Sequence, residues 1–213
     1  MKKILSLYCL AMIAIASHAQ QKKFPETSVV FGLNQPLIAH GFNFELNYWM
    51  KNFVIDYSHG FGLKFRDGLV SKEARDQKLG FNITHSVGVG FGYRFTERFN
   101  LRLEPKMHVW EMYYDDAFKV SQQRIKTYTT FTLGLGAYYR WQPFEKQANG
   151  WRGLTIVPSL RWWPNVATTL KDNEYHYFNT RTNQNEIHKA NNIGVSNSPF
   201  FINVSVGYTF KTK

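Results

Sequence analysis

The stretch Phe81–Val109, FNITHSVGVGFGYRFTERFNLRLEPKMHV, decides the fold. Every second residue from Phe81 falls on one face: Phe81, Ile83, His85, Val87, Val89, Phe91, Tyr93 and Phe95. The other face holds Asn82, Thr84, Ser86, Gly88, Gly90, Gly92 and Arg94. After a turn at Thr96-Glu97-Arg98, Phe99, Leu101, Leu103, Met107 and Val109 alternate with Asn100, Arg102, Glu104, Lys106 and His108. A period of two is the signature of a β-strand, and two such runs around a short turn form a hairpin. One face is apolar and aromatic, the other glycine, hydroxyl and full charge. In a soluble sandwich the apolar face would be the core. In a transmembrane barrel it meets lipid and the polar face fills the lumen.

The rest of the chain favours the barrel. Lys2 and Lys3, the apolar run Ile4–Ala16 and the small residues of Ser17-His18-Ala19 read as a secretory signal over residues 1–19, with the barrel domain in 20–213. Cys9 lies within that signal, so the mature chain would hold no thiol and no disulfide. Aromatic residues make up 17% of the chain and recur at strand spacing, which a soluble domain does not need. The net charge of +11 falls to +9 without Lys2 and Lys3. Export and the scatter of the basic residues exclude a nucleic-acid partner. Anionic lipid head groups are a more natural counterpart.

Alternation continues along the whole chain. Strands are expected at Thr27–Asn34, Gly41–Trp49, Phe53–Phe65, Phe81–Phe95, Phe99–Tyr113, Ile125–Trp141, Leu154–Trp163 and Phe200–Phe210. Eight is even, so both ends emerge on one side. Connections after the third, fifth and seventh strands are long (66–80, 114–124 and 164–199). Two of those after even-numbered strands are very short, the asymmetry expected of a membrane barrel. Tyr48, Trp49, Phe53, Tyr93, Phe95, Phe99, Tyr139, Trp141, Tyr208 and Phe210 all fall at the short-turn end and predict an interfacial aromatic girdle.

The last strand carries Val204, Val206, Tyr208 and Phe210 at alternate positions, with Lys211-Thr212-Lys213 after the final aromatic. This resembles the terminal signature that outer-membrane barrels present to their assembly machinery. The mature chain resembles the small eight-stranded outer-membrane barrels of the OmpA/OmpX type. The resemblance implies an all-β, closed, antiparallel, up-and-down barrel in the outer membrane with both termini periplasmic. It also implies contact with outer-membrane lipid or lipopolysaccharide, and with the barrel assembly machinery during insertion. It transfers no functional residue.

Three sets of residues are candidates for function. A lumen charge network is expected from Glu45, Asp56, Arg94, Arg102, Glu104, Lys106, His108, Arg140 and Arg161, because an eight-stranded barrel is only wide enough for its own side chains. Gly88, Gly90, Gly92, Gly134 and Gly136 would make room for the long ones. Pro105 and Pro158 interrupt strands and lack a donor, so each is expected to leave a gap in a ladder, a candidate lateral seam. The long loops carry Tyr175, Tyr177 and Phe178, which fit a partner, a glycan or lipopolysaccharide, or a fold back over the barrel mouth. Adjacent Ser58-His59 and His85-Ser86 point to opposite faces, so neither makes a dyad within its strand, and no His-x-Ser triplet occurs. His176 and His188, near Asp172, Glu174 and Glu186, are a weak metal candidate beside their ordinary reading as solvated loop residues. No cofactor or metal is expected. The reading is a structural or interaction barrel with a largely side-chain-filled lumen. The alternatives are a barrel binding or conducting a small amphiphile, a lipid-modifying enzyme, and an accessory of a secretion or assembly complex.

Overall fold

The computed structural model describes residues 25–211. The signal expected over residues 1–19, with Cys9, lies outside them. Eight antiparallel strands close into a barrel: β1 (Glu26–Gly32), β2 (Phe42–Trp49), β3 (Phe53–Phe65), β4 (Leu79–Arg94), β5 (Phe99–Tyr114), β6 (Arg124–Tyr139), β7 (Leu154–Trp162) and a closing strand, β11 (Phe200–Lys211). Each strand pairs with its chain neighbour, and β11 pairs back onto β1, from Glu26↔Lys211 to Gly32↔Ser205. The longest ladder, β5 with β6, runs from Phe99↔Tyr139 to Tyr113↔Arg124. The short turns are built as their sequences require: Thr96 Oγ1 accepts the backbone N–H groups of Arg98 (3.1 Å) and Phe99 (2.8 Å) and so closes the β4–β5 hairpin.

Polarity is inverted relative to a soluble protein. Ser28, Glu45, Asn47, Asp56, Arg102, Glu104 and Thr132 are buried inside the ring. Leu46, Ile55, Phe91, Leu103, Leu133 and Leu135 stand exposed outside it. A continuous apolar exterior around a charged interior is the arrangement of a transmembrane barrel. Trp49 departs from the expected girdle. It shares strand parity with Glu45 and Asn47, is fully buried, and donates its indole N–H to Ser28 Oγ (2.9 Å).

The alternation also inverts partway up two strands. Gly62 in β3 adopts φ 65°, which costs a glycine little. Opposite it the β4–β5 register slips between Ile83 and His85. Below this level Phe61 and His85 face out. Above it Leu63, Phe65, Phe81 and Ile83 face in and are buried. Phe81 and Ile83 therefore do not belong to the exterior face that simple alternation assigned them. A bulge shifts side-chain parity by one, and no sequence period reports it.

These inward side chains meet Trp110, Met112 and Tyr128 in an apolar core at the long-loop end of the ring. The long loops supply its lid. In residues 66–80, helix α2 (Lys72–Asp76), N-capped by Ser71 Oγ accepting from Ala74 N–H at 3.2 Å, adds Ala74 to the core. The longest loop, 164–199, holds β8 (Asn165–Thr168), which pairs with β6, and a hairpin of β9 (Glu174–Asn179) and β10 (Gln184–Lys189). Leu170, Ala190 and Ile193 from this loop enter the core. Ion pairs Arg66–Asp115 (2.5 Å) and Arg181–Asp116 (3.0 Å) tie the cap together. The remaining helix, α1 (Asn34–Leu37), follows β1 directly, so β1 ends at Gly32 rather than Asn34.

Candidate functional site

All nine residues of the expected charge network are buried in the lumen. Arg102 lies at its centre. Its Nη1 reaches Glu45 (2.8 Å), Asp56 (3.0 Å) and Asn47 Oδ1 (2.6 Å), its Nε reaches Asn100 Oδ1 (2.8 Å), and its guanidinium stacks on Tyr138. Arg161 Nη2 takes the other oxygen of Glu45 at 3.4 Å. Glu104 accepts from Tyr138 Oη (2.6 Å) and Trp163 Nε1 (3.1 Å) and lies 3.7 Å from Lys106 Nζ, which donates to Ser58 Oγ at 2.6 Å. Nearer the short turns Arg140 pairs with Glu26 at 2.7 Å. Arg94 donates to the carbonyls of Met50, Lys51 (3.2 Å) and Glu97 (3.2 Å). Four acidic side chains, Glu26 included, face five basic ones, so the interior largely compensates its own charge.

The glycines set how close this network can pack. A Cβ at Gly90 would lie 1.9 Å from Asp56 Oδ2, and one at Gly134 would lie 1.6 Å from Trp163 Cδ1. Glu26, Trp49, Tyr138 and Trp163 also belong to the network, outside the nine residues expected in it. Parity carried one residue before the first expected strand would have found Glu26. The same parity with Arg161 would have found Trp163.

His108 sits apart from the ion pairs. Ser86 Oγ lies 2.8 Å from its Nδ1 across the β4–β5 ladder, and Thr132 Oγ1 lies 3.0 Å from its Nε2. This is a Ser–His contact between strands, where the sequence excluded one only within a strand. Its third member is a hydroxyl, not a carboxylate, so no acid orients the imidazole as a base. His59 and His85 meet on the exterior at 3.2 Å, with Tyr57 Oη 3.3 Å from His59.

Pro158 faces the break in the β6–β7 ladder, which runs from Leu135↔Trp162 to Tyr138↔Ser159 and then holds only through Trp141↔Ile156. Pro105 pairs with Leu133 on β6, while on its β4 side the register passes from Gly88↔Lys106 to Phe91↔Leu103. In the cap, Tyr175 and Tyr177 stack on each other, and Tyr177 Oη lies 3.1 Å from both Gln77 Oε1 and Glu186 Oε2, either of which can take its one proton. Burial raises the Tyr177 phenol above its ordinary range. Phe178 is exposed. His176 is solvated beside Glu174 (3.6 Å), whereas His188 points the other way, stacks on Phe81 and contacts Tyr128 Oη at 3.1 Å. Burial lowers His188 to about 4. The two histidines do not converge, and among the described residues no His/Cys/Asp/Glu group could hold a metal ion.

No protein-family model matches this chain, and no curated protein does. Among solved structures it is similar to Ail, the attachment invasion locus protein of Yersinia pestis. The crystal structure of Ail gives 13% identity and a TM-score of 0.44, covering 88% of this chain and 100% of that one. The complex of Ail with the heparin analogue sucrose octasulfate gives 12% and 0.43 over the same shares. The backbone structure of Ail in a phospholipid bilayer nanodisc gives 17% and 0.37, again over 88% and 100%. At these values no residue role passes from Ail to this chain.

Proposed function

We propose that this chain is exported by its signal over residues 1–19 and lives as an integral outer-membrane barrel formed by residues 20–213. In this reading both termini and the short turns are periplasmic, and the capped end is external. The barrel machinery inserts it, and lipid or lipopolysaccharide surrounds it. Its role is structural or interactive, not conductive. One observation carries this reading: the buried, self-paired charge across the lumen, from Glu26–Arg140 to Lys106–Glu104, inside an apolar exterior. Paired charges fill the bore, and the cap covers its outer mouth, so neither end offers a water path.

The test is reconstitution of the mature protein into planar bilayers. A heat-modifiable barrel with no conductance steps is the expected result. Steady conductance would overturn the sealed lumen, and protein that stays soluble without detergent would overturn the membrane assignment.

The ladder breaks beside Pro105 and Pro158 favour a second reading, in which one of these seams loosens sideways. Amides flanking both prolines should then exchange faster than those in the middle of the β5–β6 ladder. Equal protection would remove the seam.

A further inference from the structure

The barrel wall is incomplete at one place that neither proline marks. β1 stops at Gly32, and its last backbone bond to β11 is Leu33 N–H to the Val204 carbonyl at 2.9 Å. β11 continues to Phe200, paired there only with β7 on its other side. The position of a longer β1 is taken by α1. This segment is held to β11 through Asn34, whose backbone N–H points to Asn203 Oδ1 (3.4 Å) and whose side chain donates to the Ile202 carbonyl.

A cavity of about 550 Å³ lies behind this gap. Ile38, Phe200 and Ile202, all exposed on the exterior, line its outer end. Lys106 and Arg161, both buried in the lumen, line its inner end. The cavity therefore passes through the wall from the lipid-facing surface to the top of the charge network. Between the two ends its surface is mainly apolar, with Leu63, Phe65, Leu69, Ile193 and Phe201 contributed by the barrel and the cap.

We propose that this cavity binds a single-chain amphiphile with an anionic head, entering sideways between α1 and β11. The size fits, since single small-molecule sites span roughly 300–1,000 Å³. The charge fits as well: among the described residues the only charged side chains lining the cavity are Lys106 and Arg161, and both are cationic. Arg161 uses Nε on Ser159 (3.1 Å) and Nη2 on Glu45, which leaves Nη1 for a ligand oxygen. Gln35 also lines the cavity, and its buried side-chain oxygen has no hydrogen-bond partner. The apolar stretch takes the acyl chain, and its exit past Phe200 and Ile202 leads into the bilayer.

This inference rests on the membrane reading, and the experiment separates the two. The mature protein is placed in phosphatidylcholine nanodiscs, and its heat-modifiable mobility is recorded first. Binding of cis-parinaric acid is then measured by fluorescence, with displacement by palmitate, by lysophosphatidate and by uncharged hexadecanol. Either anion should displace the probe at concentrations about tenfold or more below hexadecanol, because a charge-assisted hydrogen bond is lost with the neutral head. Stronger displacement by palmitate would identify a carboxylate head, and by lysophosphatidate a phosphate head. Leu69→Trp, which fills the cavity from the cap without touching the ion pairs, should weaken binding by about tenfold or more. Lys106→Met should weaken the anions about tenfold more than it weakens hexadecanol. A folded barrel that fails to bind the probe, or a folded Leu69→Trp variant that binds like the wild type, would overturn the proposal and leave the membrane reading intact.

Discussion

Arg102→Met tests the charge network directly. Methionine keeps much of the side-chain volume and removes the guanidinium. In the wild type that group is fully buried, 2.8 Å from Glu45 and 3.0 Å from Asp56. Deleting one partner of a buried ion pair typically costs about 3–5 kcal/mol, because the remaining charge is stranded. Here two carboxyl groups lose their shared partner, and Glu45 keeps only Arg161 at 3.4 Å. The expected loss therefore lies toward the upper end of that range. The assay is equilibrium urea unfolding in lipid vesicles, followed by tryptophan fluorescence. Arg102→Met combined with Glu45→Gln and Asp56→Asn should recover a large part of the loss, since replacing a whole buried pair is often nearly neutral. A loss below about 1 kcal/mol for Arg102→Met, in the range of exposed pairs, would refute the reasoning. So would a triple variant no more stable than the single one.

The other predictions concern packing, the lipid face and the cap. Gly90→Ala should destabilise by about 1–3 kcal/mol through overpacking against Asp56. Gly68→Ala, with nothing within 4 Å of its added Cβ, should stay within about 0.5 kcal/mol in the same urea titration. Leu133→Arg on the exposed exterior should cost roughly 2–4 kcal/mol or block insertion, read by heat-modifiable mobility. Thr132→Arg should also fail to give a stable barrel, because Thr132 is buried and bonded to His108 in a full lumen.

Cap stability should fall on acidification. His188 drops from its ordinary 6.5 to about 4 because burial disfavours the imidazolium. The unfolded cap therefore binds a proton that the folded cap refuses. The stabilisation is complete above pH 6.5 and is lost progressively as the pH falls toward about 4, by on the order of 3 kcal/mol. Amide exchange across Glu174–Lys189 should accelerate over that window, and His188→Phe should flatten the dependence. An unchanged pH profile in His188→Phe would assign the effect to another group.

Much of the barrel was legible in the chain. Strict alternation places Glu45, Asp56, Arg102, Glu104, Lys106 and Arg161 on one face, and strand order brings that face to the inside. The inward charges follow because period two is a local consequence of the sequence, and the pairing of β1 with β11 closes the ring around them. The misplacements share one cause. Phe81 and Ile83 were assigned outside because alternation was extended through Thr84, where the strand slips its register. Trp49 was assigned to the girdle by residue type, although its parity matched the lumen.

By itself, then, the sequence determined the number of barrel strands, their polar and apolar faces below the bulge, the alternation of short and long connections, and which charged side chains face the lumen. These depend on side-chain period and chain length, which are read along one dimension. Only the tertiary structure decided where parity inverts, how loops 66–80 and 164–199 fold into a cap with its own apolar core, and where β1 gives way to α1 and opens a cavity through the wall. Those features arise from contacts between residues far apart in the chain, such as Phe81 with His188 or Asn34 with Ile202. Nothing in the local pattern of either partner encodes the distance at which they meet.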